Sequence, residues 1–208
     1  MAGTVTKEEV IKEFRVREIL EAARSVMARH GMQGTTIDRV AEEAKIAKGT
    51  IYLYFPKGKD DLVHSAVLEG LRELVAETIR SDDPAKAPVE RIRNLILNQY
   101  RIQASNQDFL KTLIIGNSLD IELESEAGRE FMRVYTGFLD FTTSVLQSAI
   151  DARAIRPIEA RFAAFMLSEM ITGSLRRRLW MLTSSPLESD AEAVAELFLR
   201  GIQAVPCA

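Results

Sequence analysis

Cysteine and histidine are nearly absent from this chain of 208 residues, which has one cysteine and two histidines. The single cysteine, Cys207, cannot form an intrachain disulfide, so the sequence predicts a protein of a reducing compartment, the cytoplasm. No H-x-x-x-H or C-x-x-C spacing occurs, and no G-x-S-x-G motif of a serine hydrolase. We therefore expect no metal site, no bound cofactor and no catalytic residues, and the chain is not expected to be an enzyme.

Long apolar runs are also missing. The longest uncharged internal stretch covers residues 141–150, about half of what a helix needs to cross a bilayer. The N-terminal residues become charged at Lys7 and include no apolar segment typical of a signal peptide. The sequence thus predicts neither a membrane-embedded nor an exported chain.

Neither sign of charge dominates, since the net charge is only −3. Residues 1–60 carry 11 Lys and Arg against 9 Asp and Glu, whereas residues 61–208 carry 16 against 21. This balance argues against a general nucleic-acid coat protein. It favours a small basic-faced module on a larger acidic body, although the asymmetry is mild.

No segment alternates apolar and polar residues as a half-buried strand does, and apolar residues instead recur at three- and four-residue steps almost throughout. The sequence therefore predicts an all-α protein, with a domain boundary between residues 60 and 61. Prolines, glycines and N-cap residues divide the pattern into about nine helices. Their expected ranges are about 7–30, 37–44 with Thr35 or Thr36 as N-cap, 48–55, 59–80, 88–104, 106–115, 122–152, 157–182 and 187–204.

The most informative segment is TTIDRVAEEAKIAKGTIYLYFPKGKDDL, residues 35–62. It predicts two short helices joined by a tight turn. At 100° per residue, Ile51 and Phe55 share one face of the second helix, and Leu53 lies about 200° from Ile51. A leucine placed there, between two tyrosines, must point away from the core.

Such a helix has the chemistry of a recognition helix in the major groove of DNA. Leu53 can meet thymine methyl groups, Lys48 and Thr50 can donate to base acceptors, and Gly49 allows a close approach. Hydroxyl and ammonium groups around it suit phosphate oxygens. These groups belong to Tyr52, Tyr54, Thr36 and Lys59.

The segments ILEAARSVMARHGMQGTTIDRVAEEA, IAKGTIYLYF and GKDDL resemble the tetracycline-repressor (TetR) family of bacterial transcription regulators over about residues 14–63. The resemblance implies a three-helix helix-turn-helix DNA-binding domain in residues 1–60 and an all-helical ligand-binding and dimerisation domain in residues 61–208. It implies a homodimer that binds a near-palindromic operator and that a small, mostly apolar molecule releases from DNA. The expected function is a ligand-responsive transcriptional repressor.

The resemblance also assigns roles to residues by position. The base-facing residues would be Lys48, Gly49, Thr50, Tyr52 and Leu53, and the phosphate-contacting residues Thr36, Tyr54 and Lys59. The ligand pocket would include Tyr100, Phe109, Tyr135, Phe138, Met166 and Met170. The dimer interface would include Phe162, Met166, Met170, Gly173, Ala191, Val194, Ala195, Phe198 and Ile202, unless one chain buries these side chains internally.

Two residues depart from the family pattern. Lys45 stands where a turn glycine is common, and Ala47 stands where a serine often caps the recognition helix. We expect an altered turn conformation and the loss of a cap worth ~1 kcal/mol.

Alternative interpretations are a helical hairpin with a merely solvated face, an activator, and a helical carrier or enzyme for an apolar molecule. The hairpin and the carrier or enzyme leave the outward position of Leu53 unexplained. No residue of the sequence distinguishes an activator from a repressor. The three consecutive arginines at positions 176–178 point about 100° apart on a helix. We therefore expect solvation or intersubunit ion pairs for them rather than a phosphate site.

Overall fold

The computed structural model of the chain describes residues 6–105, 124–181 and 185–203. These residues form helices without β-strands, apart from one isolated antiparallel bridge between Ile155 and Gln203. The predicted all-α fold class is confirmed. The described helices are α1 (Lys7–Gly34), α2 (Ile37–Glu43), α3 (Lys48–Tyr54), α4 (Lys59–Arg80), α5 (Pro88–Ser105), α6 (Glu126–Asp151), α7 (Ala160–Met181) and α8 (Leu187–Ile202).

The chain divides into two compact units. The first contains residues 6–71 and 124–128, and the second contains residues 72–105, 129–181 and 185–203. The boundary predicted between residues 60 and 61 separates a DNA-binding domain from a ligand-binding domain, whereas these units are defined by contacts within the chain. The predicted boundary stays a prediction.

Helix α1 begins with a capping box. The Thr6 hydroxyl accepts from the Glu9 N–H at 3.2 Å, and the Glu9 carboxylate accepts from the Thr6 N–H at 2.8 Å. Both bonds satisfy backbone donors that the first turn leaves unpaired. The regular part of α1 ends at Gly31, whose φ of 68° and ψ of 172° suit only glycine. The predicted end near residue 30 thus marks a real break in the helix.

The short helices α2 and α3 depend on α1 for their core. Thr36 caps α2, and Ile37, Val40 and Ala41 turn inward, while α3 contributes Ile51, which is fully buried. Helix α2 packs against α1 and α3 packs against α2. Because a seven-residue helix is marginal alone, this burial holds α3 in place.

In the second unit, α5 and α7 both pack against α8. Its core is aliphatic and comes from α5, α6, α7 and α8, with buried side chains that include Ile92, Ile96, Leu146, Ala149, Leu167, Ile171, Ala195 and Phe198. Arg91 on α5 donates to both carboxylate oxygens of Asp82, at 2.7 and 2.6 Å, and the Asp82 side chain is 7% exposed. This bidentate pair fixes the connection between α4 and α5.

Most predicted helix boundaries lie within two residues of those in the structure, but the helix predicted from residue 122 begins at Glu126 and the first helix extends past Gly31 to Gly34. The helix predicted from residue 157 begins instead at Ala160, because the Glu159 carboxylate accepts from the Arg161 N–H at 2.9 Å and caps it. The preceding Arg156 donates its backbone N–H to the Ile202 carbonyl at 3.0 Å, which ties this segment to the end of α8. The helix predicted at 106–115 lies outside the described residues. Among the described helices, none is both long and apolar enough to span a membrane.

Candidate nucleic-acid interface

Helix α3 presents the orientation that the sequence predicts. Ile51 and Phe55 are 0% and 5% exposed, whereas Leu53 is 81% exposed and Tyr52 45% exposed. Thr50 and Tyr54 are half-buried at the edges of this face, and Lys48 and Gly49 are exposed at its start. A single exposed leucine is common on protein surfaces, but this one lies on the outer face of α3, beside the exposed Tyr52 and Lys48.

The turn before α3 explains how the chain tolerates its departures from the family pattern. Lys45 itself adopts the left-handed conformation, with φ of 55°, so the turn keeps a conformation that usually calls for glycine. The expected difference from the family's turn stays a prediction, and the structure shows that lysine itself takes the left-handed conformation at this position. Ala47 is the N-cap of α3 and makes no side-chain cap hydrogen bond, as predicted.

The lysine at the start of α3 is held by an acidic partner. The Lys48 ammonium lies 2.7 Å from the nearer carboxylate oxygen of Asp38, which belongs to the first turn of α2. The hydrogen bond from Lys48 to Asp38 raises the pKa of Lys48, so its charge is secure at neutral pH. Both side chains remain largely exposed, so the pair contributes little to the stability of the fold. The Lys48–Asp38 pair instead fixes the position of the Lys48 ammonium, which it holds across the turn between α2 and α3.

Two further expected phosphate contacts lie on the same unit. Lys59, the first residue of α4, donates from its ammonium to the Gln33 carbonyl at 2.9 Å. The exposed Thr36 hydroxyl accepts from the Arg39 N–H at 3.3 Å and keeps its own proton to donate. A Cβ added at Gly49 would meet nothing within 4 Å, so glycine is not required there by the protein's own packing.

The expected pocket residues do not share one environment. Tyr100 on α5 is buried, at 1% exposed. Tyr135, Phe138 and Met170 are half-buried, and burial raises the pKa of Tyr135. Met166 is exposed, and Phe109 lies outside the described residues.

Five expected interface residues, all on α8, lie in the core of the second unit; they are Ala191, Val194, Ala195, Phe198 and Ile202. Their burial within a single chain leaves little surface for a second copy. Met170 is half-buried, and Phe162, Met166 and Gly173 on α7 are exposed. Exposed apolar residues of these two helices that were not predicted for the interface include Phe165 on α7 and Leu197 on α8.

Two of the three consecutive arginines pair within the chain. Arg177 and Arg178 both donate to the Asp190 carboxylate, at 3.0 and 2.9 Å. Arg176 lies over the Trp180 ring, 5.8 Å from its centroid. The expectation of intersubunit pairs is therefore wrong for Arg177 and Arg178, whose partner comes from α8 of the same chain.

Two short helices joined by a tight turn, the second with its outer face open and basic groups around it, define a helix-turn-helix DNA-binding protein. The family model described as bacterial regulatory proteins, tetR family, matches residues 19–66. The fatty acid metabolism regulator protein of Bacillus subtilis (strain 168) is 25% identical over 198 residues, which cover 92% of this chain and 97% of that protein.

Solved structures share the fold. The fatty acid degradation regulator FadR from Bacillus halodurans superposes with a TM-score of 0.76 at 21% identity, covering 90% of this chain and 99% of that one. The FadR regulator from Bacillus subtilis in complex with stearoyl-CoA gives a TM-score of 0.74 at 21% identity, with the same coverage.

Residues 19–66 of this chain thus match the DNA-binding part of the tetR family of bacterial regulatory proteins. The match and the open face of α3 make the chain a DNA-binding transcriptional regulator. The relatives found are transcriptional regulators.

Proposed function

We propose that this repressor is released from its operator by a long-chain acyl-CoA, a mostly apolar effector bound in the C-terminal domain. Support comes from a relative named for fatty acid metabolism and from a structural relative in complex with stearoyl-CoA. On this proposal residues 1–60 form the DNA-binding domain and residues 61–208 the effector and dimerisation domain. The protein works in the cytoplasm and carries out no catalysis.

The observation that carries the DNA-binding part of the proposal is the open outer face of α3. Lys48, Gly49, Thr50, Tyr52 and Leu53 face the bases of a major groove, and neighbouring donors hold the phosphates. These donors are Thr36, Tyr54 and Lys59. The DNA-bound homodimer places two α3 helices in successive major grooves, which requires half-sites about 34 to 36 Å apart or a multiple of that spacing.

The second copy is best received by the exposed apolar face of α7 and α8. Phe162 is 61% exposed and Leu197 is 66% exposed, and Phe165 and Met166 add to the same two helices. A closed homodimer covers such a patch with an identical patch, which removes it from water. Gly173 is also exposed on α7 and allows close helix approach.

The test uses fluorescence anisotropy with labelled DNA from upstream of the protein's own gene. We expect binding that weakens steeply with salt, because phosphate contacts release counterions, and dissociation when palmitoyl-CoA is added. Binding that palmitoyl-CoA leaves unchanged would exclude acyl-CoA as effector. Failure to retain any local promoter DNA would overturn the proposal and favour a carrier.

A further inference from the structure

The inward stripe of α5 changes its chemistry halfway along the helix. Its first half is aliphatic, with Ile92, Leu95 and Ile96 at 0%, 3% and 0% exposure. The same i, i+3, i+4 spacing then continues as Gln99, Tyr100 and Gln103. An amphipathic helix that only needed to fill a core would place apolar residues at these positions as well.

The polar half of this stripe is buried without hydrogen-bond partners. Gln99 is 6% exposed and Tyr100 is 1% exposed. Within the described part of the chain, no partner meets the Gln99 Nε2 atom, the Tyr100 hydroxyl or the Gln103 Oε1 atom, all of which are buried. Because native proteins pair nearly all buried polar groups, three unpaired atoms within five residues require an explanation.

The charges near this stripe are already paired. Asp190, Arg177 and Arg178 lie close enough to influence the pKa of Tyr100, and both arginines donate to Asp190. Burial raises the pKa of Tyr100, which keeps its phenol neutral and able to donate. The Ser174 hydroxyl lies close enough to Tyr100 to favour its ionised form, but the distance and angle between the two hydroxyls are not those of a hydrogen bond. A neutral hydrogen-bonding ligand fits this environment better than a carboxylate does.

We propose that Gln99, Tyr100 and Gln103 hold the polar part of the effector, a neutral group that offers both an acceptor and a donor, such as an amide or a thioester carbonyl with an amide N–H close by. This rests on the proposed acyl-CoA effector. The Gln99 amide and the Tyr100 hydroxyl donate to a carbonyl oxygen, and the Gln103 Oε1 atom accepts from an amide N–H. The pantetheine arm of an acyl-CoA carries amides next to its thioester carbonyl, whereas a free fatty acid offers only a carboxylate.

The test compares the wild type with a Gln99→Met, Gln103→Met double variant, which keeps side-chain length but removes the polar atoms. Isothermal titration with palmitoyl-CoA, palmitate and CoA alone measures affinity, and thermal unfolding measures the ligand-free protein. We expect palmitoyl-CoA affinity to fall roughly 10- to 100-fold, from two lost hydrogen bonds. We also expect the ligand-free melting temperature to rise, because no unpaired polar atom is then buried at these positions.

Gln147→Met is the matched control, since Gln147 is an exposed residue of α6 whose amide donates to Asp151 at 2.8 Å. It should change neither measurement appreciably. If the double variant is too unstable to titrate, Tyr100→Phe removes a single hydroxyl, and it should weaken palmitoyl-CoA binding without lowering the melting temperature.

Three results would overturn the assignment. Unchanged palmitoyl-CoA affinity in the double variant, or in Tyr100→Phe, would show that these side chains do not meet the ligand. Equal wild-type affinity for palmitate and palmitoyl-CoA would exclude a neutral polar group. Wild-type protein that binds neither compound would overturn the proposed effector together with this assignment.

Discussion

Replacing Leu53 by alanine separates DNA recognition from folding. The leucine is 81% exposed in the free protein, so its truncation should change the free energy of unfolding by less than about 0.5 kcal/mol. In the complex the same side chain loses water against base edges and thymine methyl groups. Three carbon atoms are removed, and at about 0.8 kcal/mol per buried carbon group a partly covered leucine contributes roughly 1–2 kcal/mol. Because two protomers bind one operator, the affinity should fall roughly 30- to 1000-fold.

The assay is fluorescence anisotropy with operator DNA and with a scrambled duplex of the same length, together with urea unfolding. The loss should be confined to the operator, because scrambled DNA is held mainly through its phosphates. Val89→Ala is a suitable control, since Val89 is a 40% exposed apolar residue of α5 outside the first unit. Equal operator affinity for wild type and Leu53→Ala would refute the assignment of α3 as the recognition helix.

Three further substitutions test the surroundings of α3. Gly49→Ala should stabilise the free protein by about 0.5–1 kcal/mol, because the new methyl group meets nothing within 4 Å. The same methyl group should obstruct the bases and lower operator affinity roughly tenfold or more. A free energy of unfolding in urea below that of the wild type would contradict this prediction. Lys45→Gly should raise the free energy of unfolding by about 0.5–1 kcal/mol, because it removes the backbone strain of a lysine in the left-handed conformation, with φ of 55°. A lower urea midpoint for the variant would show that Lys45 is not strained. Asp38→Asn should strengthen binding to scrambled DNA up to about fivefold, because the carboxylate beside Lys48 repels phosphates; an unchanged affinity for scrambled DNA in anisotropy titrations would exclude that role.

Local periodicity was sufficient to orient α3. Ile51 and Phe55 are four residues apart, so they define the buried face of the helix. Leu53 lies on the opposite side and must therefore point to solvent. The same reasoning does not reveal the Lys48–Asp38 pair, because ten residues and a turn separate the two side chains. Their contact depends on the angle between α2 and α3, which the sequence pattern does not define.

The apolar stripe of α8 shows a second limit. Spacing predicts that Ala191, Val194, Ala195 and Phe198 share a face, and the structure places that face against the chain's own core. Periodicity identifies a buried face but not whether the same chain or a second copy covers it. Leu197 lies on the other side of the helix, where the sequence shows a single apolar residue on a polar face. That pattern alone does not predict a contact with a second copy.

The central claim is that the Leu53 face of α3 enters the major groove in two copies on one operator. Dimethyl sulfate protection measures this directly, because guanine N7 lies in the major groove and adenine N3 in the minor groove. We expect the bound protein to protect guanine N7 atoms in two patches separated by one helical turn or a multiple of it, and Leu53→Ala to weaken both patches. Protection confined to adenine N3 atoms, or a single unpaired patch of guanines, would contradict the account.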